Sequence, residues 1–256
     1  MGTTSAREHA EAILAARQSG RLLDPLSDTA PLTMRQGYEI QAHVLADRLR
    51  RGERQVGWKL GYTSQAMREQ MGVSRPNLGP LTDRMVLADG TAVGEDVMQP
   101  RVEPEVAVIV DQPVGPGADR DEARAAVREA RAALEVVDSV WRDYRFRVED
   151  NTADGSSAAY VVLGPGLGID DLAAVDVALT VDGAEVATGT GAAAMGHPLD
   201  ALCWLATELA EQGTSLASGD LVITGGLTAA WPLREGGQVS AVFGGDTRVS
   251  TWRRPR

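Results

Sequence analysis

Cysteine is almost absent from this chain: Cys203 stands alone in 256 residues, which rules out an internal disulfide framework. Its setting, Leu202-Cys203-Trp204-Leu205, reads as a buried helix face with the thiol as a small apolar filler. No stretch of roughly 18 apolar residues occurs, so no transmembrane helix is expected. The first residues, MGTTSAREHAEAILAARQ, carry charges throughout and do not read as a secretory signal, so a cytoplasmic location is expected. Aromatics make up only 4% of the chain, which leaves the core to Val, Leu and Ala. Basic residues are in the minority, 25 Lys and Arg against 36 Asp and Glu, for a net charge of −11. That balance argues against general nucleic-acid binding, which needs a basic footprint. It leaves anionic substrates open, because a local cation can overrule net charge. The histidines, His9, His43 and His197, are too scattered for a His-rich metal site. Neither an H-E-x-x-H motif nor a G-x-S-x-G elbow is present. Gly164-Pro-Gly-Leu-Gly168 lacks the Lys-Ser/Thr ending of a phosphate loop and reads as a turn.

What is present is enough apolar residue, 43%, for a sizeable core. The first part reads as helical. Ser5-x-x-Glu8 and Thr33-x-x-Gln36 are capping boxes ahead of helix-spaced apolar residues. A short third helix is predicted over Ser64–Met71. Between the last two, Gln55–Tyr62 alternates like a strand. From about residue 80 strand-like runs dominate: Val102–Val110, Ala159–Leu163, Val175–Val181, Asp220–Thr224, Gln238–Phe243 and Thr247–Trp252. Val181-Asp-Gly-Ala184 and Glu235-Gly-Gly237 carry hairpin-turn residues. Two helices interrupt, one over about Asp121–Ala133 and one from Pro198 to a stop at Gly213. The expectation is an α+β fold, with a helical part over 1–79 and a β-rich part over 80–256.

The stretch richest in chemistry is Arg101-Val-Glu-Pro-Glu105. Glu103 and Glu105 are two apart on a predicted strand, so both point to one face. Side-by-side carboxylates repel, and the resolutions are a shared proton, a basic partner or a cation between them. A third carboxylate would complete an all-oxygen site for Mg²⁺ or Mn²⁺. Glu135, expected at a helix-to-strand junction, is a candidate. Lys59 lies in an apolar strand between Gly57 and Gly61; it could balance a carboxylate cluster, bind a substrate carboxylate or shuttle a proton. Ala153-Asp-Gly-Ser-Ser157 is a small-residue loop, and Thr224-Gly-Gly-Leu-Thr-Ala-Ala230 an open strand end; both suit a ligand's approach.

Gly57-Trp-Lys-Leu-Gly-Tyr-Thr-Ser64, Met67-x-x-Gln70-Met-Gly-Val73, Leu81-Thr-Asp-x-Met85, Pro100-Arg-Val-Glu-Pro-Glu105, Ala133-Leu-Glu-Val-Val-Asp-Ser139, Ala153-Asp154, Gly196-His-Pro-Leu199 and Gly219-Asp220 with Gly226-Leu-Thr-Ala-Ala230 together resemble the 2-keto-4-pentenoate hydratase and 4-oxalocrotonate decarboxylase family, within the fumarylacetoacetate hydrolase superfamily. The resemblance implies a β-rich roll with a small helical N-terminal part, and a homo-oligomer. It implies Mg²⁺ or Mn²⁺ on Glu103, Glu105 and Glu135, Lys59 and Asp83 as catalytic groups, and Asn77, Ser157 and Thr228 in contact with a small 2-oxo acid substrate. Hydratases of the family carry an aspartate in a Pro-Asp-Phe-Gly segment; here the segment is Pro76-Asn77-Leu78-Gly79. Asn77 cannot pass a proton as a carboxylate does. Leu81-Thr-Asp83, Asp143-Tyr-Arg-Phe146 and Gly196-His-Pro198 look more like the decarboxylase branch. The expectation is decarboxylation of a 2-oxo-3-hexenedioate. A dienol hydratase, an acylpyruvate C–C hydrolase and a non-catalytic assembly partner of a pathway enzyme are the alternatives.

Overall fold

The computed structural model describes residues 5–65, 68–69 and 73–255. Two sheets make the body. The larger has eight strands: β1 (Gln55–Gly61), β2 (Asn77–Thr82), β3 (Val86–Ala88), β5 (Arg101–Val110), β6 (Val127–Val137), β7 (Ala158–Leu167), β10 (Leu221–Ile223) and β11 (Trp231–Pro232). Their order is β2-β1-β10-β5-β6-β7-β3, with β11 pairing to β5. The smaller sheet runs β4-β13-β12-β8-β9, from β4 (Ala92–Val93), β8 (Asp176–Val181), β9 (Ala184–Thr190), β12 (Gln238–Phe243) and β13 (Thr247–Arg253). Val249 of β13 sits against Gly164 of β7, where a Cβ would be 2.6 Å from the valine Cβ. A side chain there would hold the sheets apart. The expected α+β roll is observed.

Both capping boxes form. They open α1 (Ala6–Ser19) and α2 (Met34–Arg50), with serine and threonine hydroxyls accepting from the N3 amides. Together with α4 (Val148–Ala153), these helices enclose a satellite core of Ile13, Ile40, Val140, Trp141 and Ala153. α5 (Pro198–Glu211) begins at proline as expected and buries Leu199, Leu202, Leu205 and Leu209. His197 is its N-cap, accepting from the Leu199 amide at 3.0 Å, so it has a structural role. Cys203 donates to the Asp119 carbonyl, and burial pushes its thiol up to about 11. The Asp182-Gly183 turn has positive φ at both residues and joins β8 to β9 as a primed hairpin turn.

Three expectations change. The helix expected over Asp121–Ala133 is confined to α3 (Arg120–Ala126); β6 begins at Val127. The alanine-rich run Ala123–Ala133 suits either state, and ladder pairing to β5 along the whole of Val127–Val137 decides for strand. Gly164–Gly168 is mostly strand rather than turn, since β7 continues through Leu167. Pro165 is tolerated because the β3 pairing extends only over Val161–Leu163, so no partner needs its missing N–H. The expected boundary at 79/80 falls inside β2, and β1 already belongs to the larger sheet. The helix predicted over Ser64–Met71 and the Met67–Val73 motif fall for the most part outside the described residues. No helix among the described residues is long and apolar enough to cross a membrane.

Truncating a fully buried residue of the satellite core, Ile13→Ala (0% exposed), is expected to cost about 2–5 kcal/mol in urea denaturation.

Candidate active site

Antiparallel pairing of β5 with β6 sets Glu103 directly opposite Glu135, and Glu105 follows two residues along on the same face. Directly opposed side chains of like charge destabilise a sheet. Yet these carboxylates are gathered so closely that one oxygen from each lies within 4.8 Å of the others. Glu105 and Glu135 are almost fully buried, at 0% and 1% exposure. At that separation and an effective dielectric constant near 20, each ionised pair repels by about 3 kcal/mol. Three such pairs approach the whole stability of a typical domain, about 5–15 kcal/mol, so the trio needs a counter-charge.

One comes from Lys59. It projects from β1, which is separated from β5 by the short strand β10. β10 ends at Ile223, and the chain then leaves the sheet. The ammonium lies 3.1 Å from Glu135 Oε1 and donates to the Ser156 carbonyl at 2.8 Å. Burial pulls the Lys59 pKa down, but Glu135, Glu103 and Glu105 outweigh it and hold it above the ordinary lysine value. One ammonium against three carboxylates leaves a deficit of two positive charges. Accordingly the carboxyls resist ionisation. Burial, then Glu135, pushes Glu103 up to about 7, and burial with the neighbouring acids raises Glu105 well above the usual carboxylate value. Glu135 is also raised by burial, with Lys59 opposing. Glu105 Oε2 accepts from the Gly225 amide at 2.7 Å. Glu105 Oε1 and Glu135 Oε2 have no hydrogen-bond donor among the described residues, and Glu135 Oε1 faces the Lys59 ammonium. Free carboxylate oxygens, converging and short of two charges, fit a hard divalent cation.

Lys59 and Glu103 lie in the wall of a cavity of about 710 Å³, with Glu105 and Glu135 buried beside Glu103. Further wall comes from Tyr62, Arg101, Tyr144, Phe146 and Leu227. Gly155, Ser156 and Ser157 all have positive φ, which is rare for serine and marks a conformation held by its surroundings. This left-handed turn presents the Ser156 carbonyl to Lys59. Ser157 lies in the wall as expected, its hydroxyl accepting from Asn151 Nδ2 at 2.9 Å. Thr228 is also in the wall and donates to the Ala229 carbonyl.

Two expected site residues lie elsewhere. Asn77 is not in the cavity wall. It is fully buried behind it, giving Nδ2 to Asn151 Oδ1 at 3.0 Å and Thr152 Oγ1 at 2.9 Å, and accepting from the Ser156 hydroxyl at 3.0 Å. It braces Asn151 and Ser156, which do line the cavity. Asp83 is not brought to the site at all. It follows β2 on a 3-10 turn and binds the Arg54 amide and guanidinium, which hold its pKa below the usual carboxylate value. Arg101, Tyr144 and Ser156 lie in the Pro100–Glu105, Asp143–Phe146 and Ala153–Ser157 segments singled out in the sequence, whereas Asn151 carries no such signal.

The sequence model of the fumarylacetoacetate (FAA) hydrolase C-terminal family matches residues 59–250. The chain is 38% identical to the 2-keto-4-pentenoate hydratase of Burkholderia vietnamiensis, over 90% of each protein. It is 37% identical to a 4-oxalocrotonate decarboxylase of a Pseudomonas species, over 86% of this chain and 87% of that one. The solved 4-oxalocrotonate decarboxylase of Pseudomonas putida, complexed with magnesium and adipate, superposes with a TM-score of 0.93 at 30% identity, covering 99% of this chain and 100% of the other. With that family's pattern running from Lys59 through the three carboxylates into the last strand of the smaller sheet, the chain belongs to the fumarylacetoacetate hydrolase family.

Proposed function

We propose that this chain is a divalent-metal-dependent lyase acting on a 2-oxo acid, and that its reaction is decarboxylation of a 2-oxo-3-hexenedioate-type substrate. The observation that carries this reading is the cluster of Glu103, Glu105, Glu135 and Lys59, two of whose members, Glu103 and Lys59, line one cavity. Mg²⁺ or Mn²⁺ held by the three carboxylates would supply a Lewis acid for the substrate's C2 ketone oxygen. Lys59, kept cationic by its neighbours, offsets negative charge developing on the substrate and can donate a proton to the oxygen of the dienolate. As the C5–C6 bond breaks, its electrons form C4=C5, the C3=C4 pair shifts to C2=C3, and the ketone oxygen takes the charge. Carbon dioxide and the dienol are the products. Phe146 and Leu227 supply an apolar wall that limits water at the reacting carbons.

Asn77 favours this direction over hydration. Lys59 lies 3.3 Å from the Ser156 hydroxyl, and that hydroxyl donates to Asn77 Oδ1. The path ends on an amide that cannot take up or release a proton. Dienol hydration, which needs proton donors and acceptors at both ends of the substrate, is the second reading; the 38% identity to a hydratase supports it. The homo-oligomer, a pathway-enzyme partner and a cytoplasmic location belong to the same proposal. The partly exposed Trp231 and Trp252 are apolar surface that a subunit contact would cover.

Incubation with 2-oxo-3-hexenedioate and Mg²⁺, followed by NMR, is expected to show loss of carbon dioxide and appearance of 2-hydroxypenta-2,4-dienoate. Chelation should abolish it. Efficient hydration of that dienol with no decarboxylation would replace the first reading with the second. Glu103→Gln should weaken Mg²⁺ or Mn²⁺ binding by more than the roughly 10–100-fold that changes outside the ligand set cost, with the fold intact by circular dichroism. Gly226→Ala should weaken it too, because the added methyl meets the Glu103 carboxylate.

The raised carboxyl pKa values also fix a pH dependence. Above about pH 4.5 the unfolded chain has released protons that the metal-free fold retains on Glu103, Glu105 and Glu135. Stability of the metal-free protein from these groups therefore falls as pH rises from 4.5 through about 7. Metal binding needs the ionised forms, so the melting-temperature gain on adding Mg²⁺ should be larger near pH 7.5 than near pH 5. Equal gains at both would argue against carboxylate ligation.

A further inference from the structure

We propose that Arg101, seated on the ring of Tyr144 in the cavity wall, is the group that reads the far carboxylate of a dicarboxylic 2-oxo acid. The inference rests on the metal-lyase reading of the site and deepens it. Arg101 and Glu103 are two residues apart on β5, facing the same side, with Val137 and Glu135 as their cross-strand partners. Residues so placed are roughly 6.6 Å apart. Five carbon–carbon bonds of about 1.5 Å, in a zigzag, span roughly 6 Å between the ends of a six-carbon diacid. A 2-oxo acid whose first two carbons face the Glu103 side would thus bring its other end within Arg101's reach.

The two cations in the wall are in different states. Lys59 is engaged, on the Ser156 carbonyl and Glu135. Arg101 has no hydrogen-bond acceptor and no ion-pair partner among the described residues. Its guanidinium carbon lies 4.3 Å from the centre of the Tyr144 ring. Stacking fixes the plane of the fork and leaves its N–H edge available to both oxygens of a carboxylate. The stack is built at a cost. Asp143 and Tyr144 both adopt positive φ, 58° and 57°, where non-glycine residues are uncommon. The Tyr144 hydroxyl reaches the carbonyls of Gln99 at 3.1 Å and Val137 at 3.0 Å, pinning the ring beneath the guanidinium. Asp143, the other acid in the wall, is exposed to solvent and makes no ion pair with Arg101.

The test uses two unreactive ligands that differ only at the far end, 2-oxohexanedioate and 2-oxohexanoate, titrated calorimetrically into the Mg²⁺-loaded protein. The native chain should prefer the diacid by roughly ten- to a hundredfold, the range for hydrogen bonds to a charged group. Arg101→Gln should remove that preference while leaving 2-oxohexanoate affinity within about twofold. Arg101→Lys, which keeps the charge but neither the fork nor the stack, should retain only part of it. A preference unchanged in either variant overturns the proposal. Equal binding of both ligands by the native chain also overturns it while leaving the 2-oxo acid reading intact. Binding of neither removes both.

Discussion

Everything in this site depends on the electrostatic imbalance of three carboxylates and one ammonium placed together out of water. Sheet pairing forces Glu103 and Glu135 to face one another, and the two-residue strand period brings Glu105 alongside. The buried ion pair between Lys59 and Glu135 answers part of the repulsion. Pairs of this kind seldom add net stability, because desolvation consumes most of the Coulomb gain. The arrangement therefore makes sense as a functional one. It leaves carboxylate oxygens without donors and a charge deficit of the size a divalent cation fills. The stability that the carboxylate trio costs is recovered on ligation of a cation, as binding and folding free energies are linked.

The fold serves this arrangement through rigid supports. β5 and β6 are long and central, and both are largely buried around Glu103, Glu105 and Glu135, so the carboxylates ride on a well-packed frame. β10 is short. Its end at Ile223 opens a gap in the sheet, and the loop that follows supplies the Gly225 amide to Glu105. The small residues there are required by closeness: a Cβ on Gly226 would meet Glu103 and one on Gly225 would meet Thr63. On the other side, Asn77, behind the wall, ties Asn151 and Ser156 of the wall into a closed hydrogen-bond network, which holds the strained turn. The helical layer is tied to this network too. Arg17 of α1 pairs with Asp154, immediately before that turn, and offsets part of the burial that raises the acid's pKa.

The family contains both decarboxylases and hydratases at similar identity, so the difference between reactions must lie in a few side chains on a shared metal platform. The position of Asn77 behind the wall shifts the emphasis. It influences chemistry through Ser156 rather than by touching substrate. Arg101 and Tyr144 also line the cavity, and they face the part of the substrate in which acids with and without a second carboxylate differ.

Local signals determined a good deal. The capping boxes at Ser5 and Thr33, the proline start of the helix at 198, the Asp182-Gly183 turn and the pairing of Glu103 with Glu105 on one strand face follow from rules acting over two to four residues. Those rules were obeyed. The ordered motifs also carried the family, and with it Glu135 and Lys59 as partners. What the sequence could not decide was register and depth. Glu135 looked like a helix-end residue because Ala123–Ala133 suits helix and strand alike, and only pairing with β5 sets it opposite Glu103. Asn77 and Asp83, six residues apart on and just after one strand, were equally plausible at the site. The fold buries the first behind the wall and leaves the second with Arg54. Arg101 stands in a legible motif, but its stack on Tyr144 is not legible, since it joins residues 43 apart in the chain through a left-handed turn. Such contacts come from how strands and loops pack in space, which is set by burial of the whole chain and not by any short window of it.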